Sequence, residues 1–177
     1  ISLSHFYKSQ YSMKTIYLLM SHSDQSSDFE IDVTKTDFTS FQKTLEEEWE
    51  LTESVYEEEF NEEVLNTHGY FVFGYYWEKD KRYVAYKFDI DIDIDFTPGK
   101  EIFALCANGY ELCWEGEVLG IYADIDEVKK AIIEAAGLSI EFDTEEEINR
   151  ELGEGWEKYH CYSDNLSILY DCIPITI

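Results

Sequence analysis

Between residues 88 and 96 apolar and acidic side chains alternate without a slip, and the apolar parity continues back to Val84. Val84, Tyr86, Phe88, Ile90, Ile92, Ile94 and Phe96 take one parity, and Asp89, Asp91, Asp93 and Asp95 take the other. A helix would scatter both sets around its circumference, whereas a strand sorts them onto opposite faces. The stretch therefore predicts a sheet with one face in a core and four carboxylates in a row on the other, about 6.6–6.8 Å apart. Asp has poor strand propensity, so four in register call for a reason beyond folding.

Hairpin signals dominate the rest of the chain. Residues 14–21 and 29–34 read as strands joined by a polar loop, and 70–78 pairs with 82–96 over Lys79-Asp80-Lys81. Residues 101–107 and 110–114 flank Asn108-Gly109, a type I′ turn signal, and 117–122 follows Glu115-Gly116. A last hairpin, 156–162 with 166–173, turns over Asp164-Asn165.

Three helices fall between these strands. Thr39 and Gln42 resemble a capping box, after which Phe41, Leu45, Trp49, Tyr56, Phe60 and Val64 recur at helical spacing, with a bend near Thr52 and an end before Gly69. Asp124 and Glu127 form a second box, opening a helix through Ala136 that Gly137 stops, and a short acidic helix covers 144–152. The expected fold is α+β, mainly antiparallel sheet built of hairpins, with one long acidic helix and two shorter ones. Residues 13–177 read as a single domain. Residues 1–12 precede a Met13-Lys14 pair that resembles a natural start, and read as a leader or remnant. The blocks 14–66 and 101–137 are only vaguely alike, too little to predict a repeat.

The chain carries 39 acidic and 13 basic residues, a net charge of -26, beside a hydrophobic fraction of 45% that suffices for a core. Solubility asks for a net charge of only about 2–8 in a small domain. Halophilic adaptation fits poorly, since 11 of the 13 bases are Lys and Ile, Tyr and Phe are plentiful. No Lys or Arg occurs over residues 44–78, 101–128 or 159–177. Such single-sign stretches repel nucleic acid and anionic membranes and steer basic proteins inward.

The densest stretch holds ten Glu in the eighteen residues 46–63, among which Glu46, Glu50, Glu53 and Glu57 would form one stripe along a helix face. A solvated helix face is the plain alternative. The remaining acids at Asp124, Asp126, Glu127 and 143–147 sit where helix N-termini favour them. For the aspartate row, an EF-hand fails: counting from Asp89 its Gly and Glu positions are Ile94 and Lys100, and from Asp91 they are Phe96 and Ile102. Protection of a strand edge would need fewer charges. A row at strand pitch does imitate successive phosphates.

Catalytic motifs are absent from the sequence. No P-loop, nucleophile elbow or dinucleotide fingerprint occurs, and His5, His22, His68 and His160 are scattered. His160 adjoins Cys161, but strand neighbours point to opposite faces. Cys106, Cys113, Cys161 and Cys172 include no Cys-x-x-Cys pair, and the apolar run 16–20 is too short for a signal peptide or a span, so reduced thiols in a cytoplasm are expected.

The expectation is a non-enzymatic acidic inhibitor without metal or cofactor. Its partner would be a basic protein, specifically a nucleic-acid-binding enzyme or complex, met through Glu46, Glu50, Glu53, Glu57, Asp89, Asp91, Asp93 and Asp95. In charge, size and aromatic content the chain resembles the small acidic proteins that phages and mobile elements use against restriction or CRISPR systems, which implies a DNA mimic. Two alternatives stand beside it: an immunity protein against a basic nuclease toxin, and a carboxylate-based metal-dependent enzyme.

Overall fold

A computed structural model of the chain describes residues 13–23, 29–76, 80–90, 99–109, 116–135, 160–163 and 168–177. The expected leader 1–12, the strand 110–114, the acidic helix 144–152 and Asp91, Asp93 and Asp95 lie outside the described residues. The elements run β1 (Lys14–His22), β2 (Phe29–Lys35), α1 (Phe38–Glu48), α2 (Glu62–His68), β3 (Tyr70–Tyr76), β4 (Lys81–Ile90), β5 (Glu101–Gly109), β6 (Glu117–Tyr122), α3 (Ile125–Ala135), β7 (His160–Ser163) and β8 (Ile168–Thr176). The chain is α+β: two antiparallel sheets, ordered β2-β1-β4-β3 and β6-β5-β8-β7, with the helices laid on their outer faces.

Strand periodicity builds the layers. Ile16, Leu18 and Met20 of β1 meet Ile102, Ala104 and Cys106 of β5 in the core between the sheets, joined by Val84, Ile90, Val118 and Ile175. The opposite parity, Tyr17 and Leu19 of β1 with Tyr83 and Ala85 of β4, packs under α1 and α2 through Phe41, Leu45 and Leu65. On the second sheet Leu105, Ala107, Tyr170 and Cys172 face Val128 and Ile132 of α3. Central strands are thus buried on both faces, which is why residues 16–20 of β1 read as one apolar run.

The two halves repeat each other. Each is two strands, a helical crossover, and two strands, with the same strand order. Counterparts keep the same separation along the chain to within one residue. Asp37 caps α1 by accepting from the Ser40 N–H at 2.8 Å, and Asp124 accepts from the Glu127 N–H at 2.9 Å. Phe41 and Leu45 are buried on α1 as Val128 and Ile132 are on α3, and Tyr83 as Tyr170. The register slips opposite Leu19/Met20 and again opposite Leu105/Cys106, making Asp32 and Leu119 the bulged residues of their edge strands. Among the described residues, two contacts between sheets, β4 with β6 and β2 with β8, are a pair that a two-fold exchanging the halves would relate. The blocks 14–66 and 101–137 therefore correspond, although their sequences agree in apolar pattern rather than identity.

Three expectations are corrected. Asn108 and Gly109 do not turn: they extend β5, opposite Leu169 and Ile168 of β8, and the partner of β5 on its other side is β6. The long ladder of a central strand outweighs the local turn preference. The cap of α1 is Asp37, not Thr39. The long acidic helix is broken into α1 and α2, separated by residues 49–61. Leu45, Leu51 and Phe60 are all buried, yet at about 100° per residue Leu51 would lie about 120° away from the Leu45 face. A straight helix lying on the sheet by one face cannot bury both, and no Lys or Arg stands between Leu45 and Phe60 to offset the repulsion of the glutamates there.

Candidate functional site

The acidic stretch forms the crossover from β2 to β3. After α1 the backbone turns at Glu50, which holds a left-handed φ of 56°, and Leu51 N–H bonds back to Leu45 O at 3.0 Å. Residues 52–60 fold into a small hairpin: Phe60 N–H donates to Thr52 O at 3.0 Å, Ser54 N–H to Glu58 O at 2.8 Å, and Glu53 bridges Glu59. Buried Ser54 organises its tip, its hydroxyl oxygen accepting from Tyr56 N–H at 3.2 Å and Glu58 N–H at 3.1 Å. Val55 N–H donates to Phe73 O at 2.9 Å, fastening the hairpin to the edge of β3. There Gly74, at φ 109°, leaves room for it, since a Cβ would lie 2.5 Å from a Val55 methyl. Asn61 then caps α2, accepting from Val64 N–H at 3.1 Å, and Gly69 ends it at φ 77°.

The result reverses the expected placement of Tyr56 and dissolves the expected helix stripe, while the acids stay exposed. Tyr56, placed in the core by helical spacing, is 85% exposed at the hairpin tip beside Val55, which is 54% exposed. All ten glutamates of residues 46–63 are exposed. Glu46, Glu50, Glu53 and Glu57 are not a helix stripe: Glu46 is on the last turn of α1, Glu53 lies in the bridge, and Glu50 and Glu57 sit at left-handed turns, Glu57 with φ 64°. Among the described residues the ion pair of this stretch is Lys43–Glu47, at 3.9 Å and open to solvent.

Asp89 is held differently. It lies on β4, on the face that carries the helices, where its carboxylate accepts from the Thr15 hydroxyl at 2.7 Å and meets Lys87 Nζ at 3.2 Å. The Thr15 bond, aided by Lys87, holds its carboxyl below the ordinary range against partial burial. Lys87 also donates to Asn66 of α2 at 2.8 Å. Asp89 shares a field with the crossover: burial first, then the charges of Glu62, Asp89 and Asp37, push the Tyr17 hydroxyl up.

A second polar cluster has no mark in the sequence. At the other end of the same sheet face Ser21, Glu30, Asp32, Lys81 and Tyr83 gather around the β2 bulge, with Trp49 set edge-on to Tyr83 at 5.8 Å. Lys81 is ion-paired with Glu30. Asp32 is half-buried, and among the described residues its Oδ2 meets no hydrogen-bond donor. Burial raises its carboxyl, and the Ser21 hydroxyl and Lys81 only partly counter this. The bulge puts Asp32 there, and strand alternation alone cannot foresee a bulge.

A cleft of 230 Å³ opens between the sheets, lined by Tyr70, Val72, Val84 and Tyr86 of β3 and β4 with Arg82 and Glu117. Cys106 and Cys172 are buried free thiols; burial raises both, Cys172 to about 12, which keeps them protonated and poor nucleophiles. Among the described residues no group of three or more His, Cys, Asp or Glu could hold a metal ion, and no helix is long and apolar enough to cross a membrane. No protein-family model, curated protein or solved structure matches the chain.

Proposed function

We propose that the chain is a non-enzymatic inhibitor that covers a basic, nucleic-acid-binding surface of another protein by presenting carboxylates in place of phosphates, in the manner of a DNA mimic directed against restriction or CRISPR enzymes in a cytoplasm. One observation carries the reading: ten glutamates of residues 46–63 all face solvent on a crossover pinned to the sheet by buried Leu51, Ser54 and Phe60. Self-repulsion in such an array destabilises the free protein, and a cationic surface relieves it. A pinned array also loses less entropy on binding than a loose acidic tail. The test is displacement. Fluorescent duplex DNA is bound to basic restriction and CRISPR nucleases and to basic nuclease toxins, and the protein is titrated in. Displacement from at least one enzyme, weakening from about 0.1 M to about 1 M salt as the Debye length falls from about 10 Å to about 3 Å, supports the reading. Displacement of a toxin alone shifts it to an immunity role. No displacement at the lower salt sinks it.

A further inference from the structure

The hairpin of residues 52–60 offers more than charge. Val55 and Tyr56 are the adjoining exposed apolar residues at its tip, and Tyr56, at 85%, is nearly as open as a side chain can be. Their backbone is held by the Val55 N–H bond to Phe73 O and the Tyr56 N–H bond to Ser54 Oγ. Exposed glutamates precede and follow the tip in the chain: Glu53 before it, Glu57, Glu58 and Glu59 after it.

An exposed aromatic face on a turn whose neighbouring exposed residues are glutamates selects one kind of partner group. An anion is repelled, and an apolar side chain would leave the carboxylates desolvated and unpaired. A lysine ammonium satisfies the charge but holds its hydration shell. A guanidinium is planar and weakly hydrated; it stacks on a tyrosine face while its N–H fork donates to carboxylates beside it. We infer that Tyr56 is the docking platform for an arginine side chain of the partner, stacked on the ring and bonded by the flanking glutamates. The inference rests on the proposed binding of a basic surface and assigns its central contact.

Oligo-arginine and oligo-lysine peptides of equal length serve as probes, with binding to the intact chain measured at about 0.1 M salt. The wild type should favour the arginine peptide by about two- to fivefold, the worth of an exposed cation–π contact. Tyr56→Phe keeps the ring face and should keep the preference. Tyr56→Leu keeps an apolar side chain without a π face and should bind both peptides alike, with an unchanged melting temperature because the site is exposed. A preference that persists in Tyr56→Leu, or is lost in Tyr56→Phe, overturns the inference. So does equal binding of both peptides by the wild type, and in that case the acidic-surface reading survives. If the wild type binds neither peptide, that reading fails as well.

Discussion

Burial holds the Asp32 carboxyl above its ordinary range, while a hydroxyl bond and an ion pair hold Asp89 below it. The two therefore leave opposite marks on stability. The ionised form of Asp32 is the costly one in the fold; that cost is present above its raised folded value and is relieved as pH falls toward 3.8. Asp89 stabilises above the ordinary value of 3.8 and loses this as pH falls through its lowered folded value. Asp32→Asn should raise the melting temperature at about pH 7 and flatten the rise seen on mild acidification, by about 1 kcal/mol, the low end for an unpaired buried polar atom. Asp89→Asn should lower it at about pH 7, with the difference closing below about pH 3. Melts of both variants across this range check the signs. Asp89 was legible as a strand residue facing away from the inter-sheet core, and its ties to Thr15 and Lys87 were not, because Thr15 comes beside it only through the β1–β4 pairing. Asp32 was hidden for the same reason: the repeat puts Leu119 at its counterpart, and only the bulge makes either one special.

Among the elements, the strands were readable and the acidic helix was not. The apolar run 16–20 follows from two buried faces, and the β-rich composition of 81–90 marks the strand paired with it. The helical spacing from Phe41 to Val64 is met at its two ends, where α1 and α2 form, and is accidental between them. What breaks it is the burial of Leu51 and Phe60, together with Ser54, which trades helical bonding for two bonds to the hairpin tip. Ser54→Ala would leave the Tyr56 and Glu58 N–H groups without that acceptor beside a buried site. It should cost about 1–2 kcal/mol and speed amide exchange through residues 53–59 more than in α1. Equal protection of the two regions in wild type and variant would show that the hairpin does not depend on Ser54. Gly74→Ala tests the other anchor. Its φ of 109° and the 2.5 Å approach to Val55 mean that either β3 or the hairpin must shift, so the same exchange signature is expected with a larger loss of stability, about 1–3 kcal/mol.

At the scale of the molecule, the two repeats are joined by a single apolar layer and distinguished by where they carry charge. Ile16, Leu18 and Met20 from one half interlock with Ile102, Ala104 and Cys106 from the other, so neither sheet can lose its partner without exposing its inner face. Met20→Ala should cost about 2–5 kcal/mol and lower one shared calorimetric transition; two separable transitions would mean that the halves fold independently. The repeat itself escaped the sequence because what the halves share is a cap, a bulge and a buried stripe, each of which tolerates many residue types. The acid does not repeat in the same way: the first crossover holds ten exposed glutamates, and its charge acts on stability and on binding with opposite sign. In the free chain, a net charge of -26 repels itself, so salt should raise the melting temperature as the Debye length contracts from about 10 Å at 0.1 M to about 3 Å at 1 M. In the complex the same carboxylates attract, so salt should weaken affinity, chiefly through the association rate. Changing Glu46, Glu50, Glu53 and Glu57 together to Gln should therefore raise the melting temperature at low salt, shrink its rise with salt, and slow association with the basic partner. A quadruple variant that melts lower than the wild type at low salt while associating at an unchanged rate would assign these glutamates to the fold and remove them from the interface.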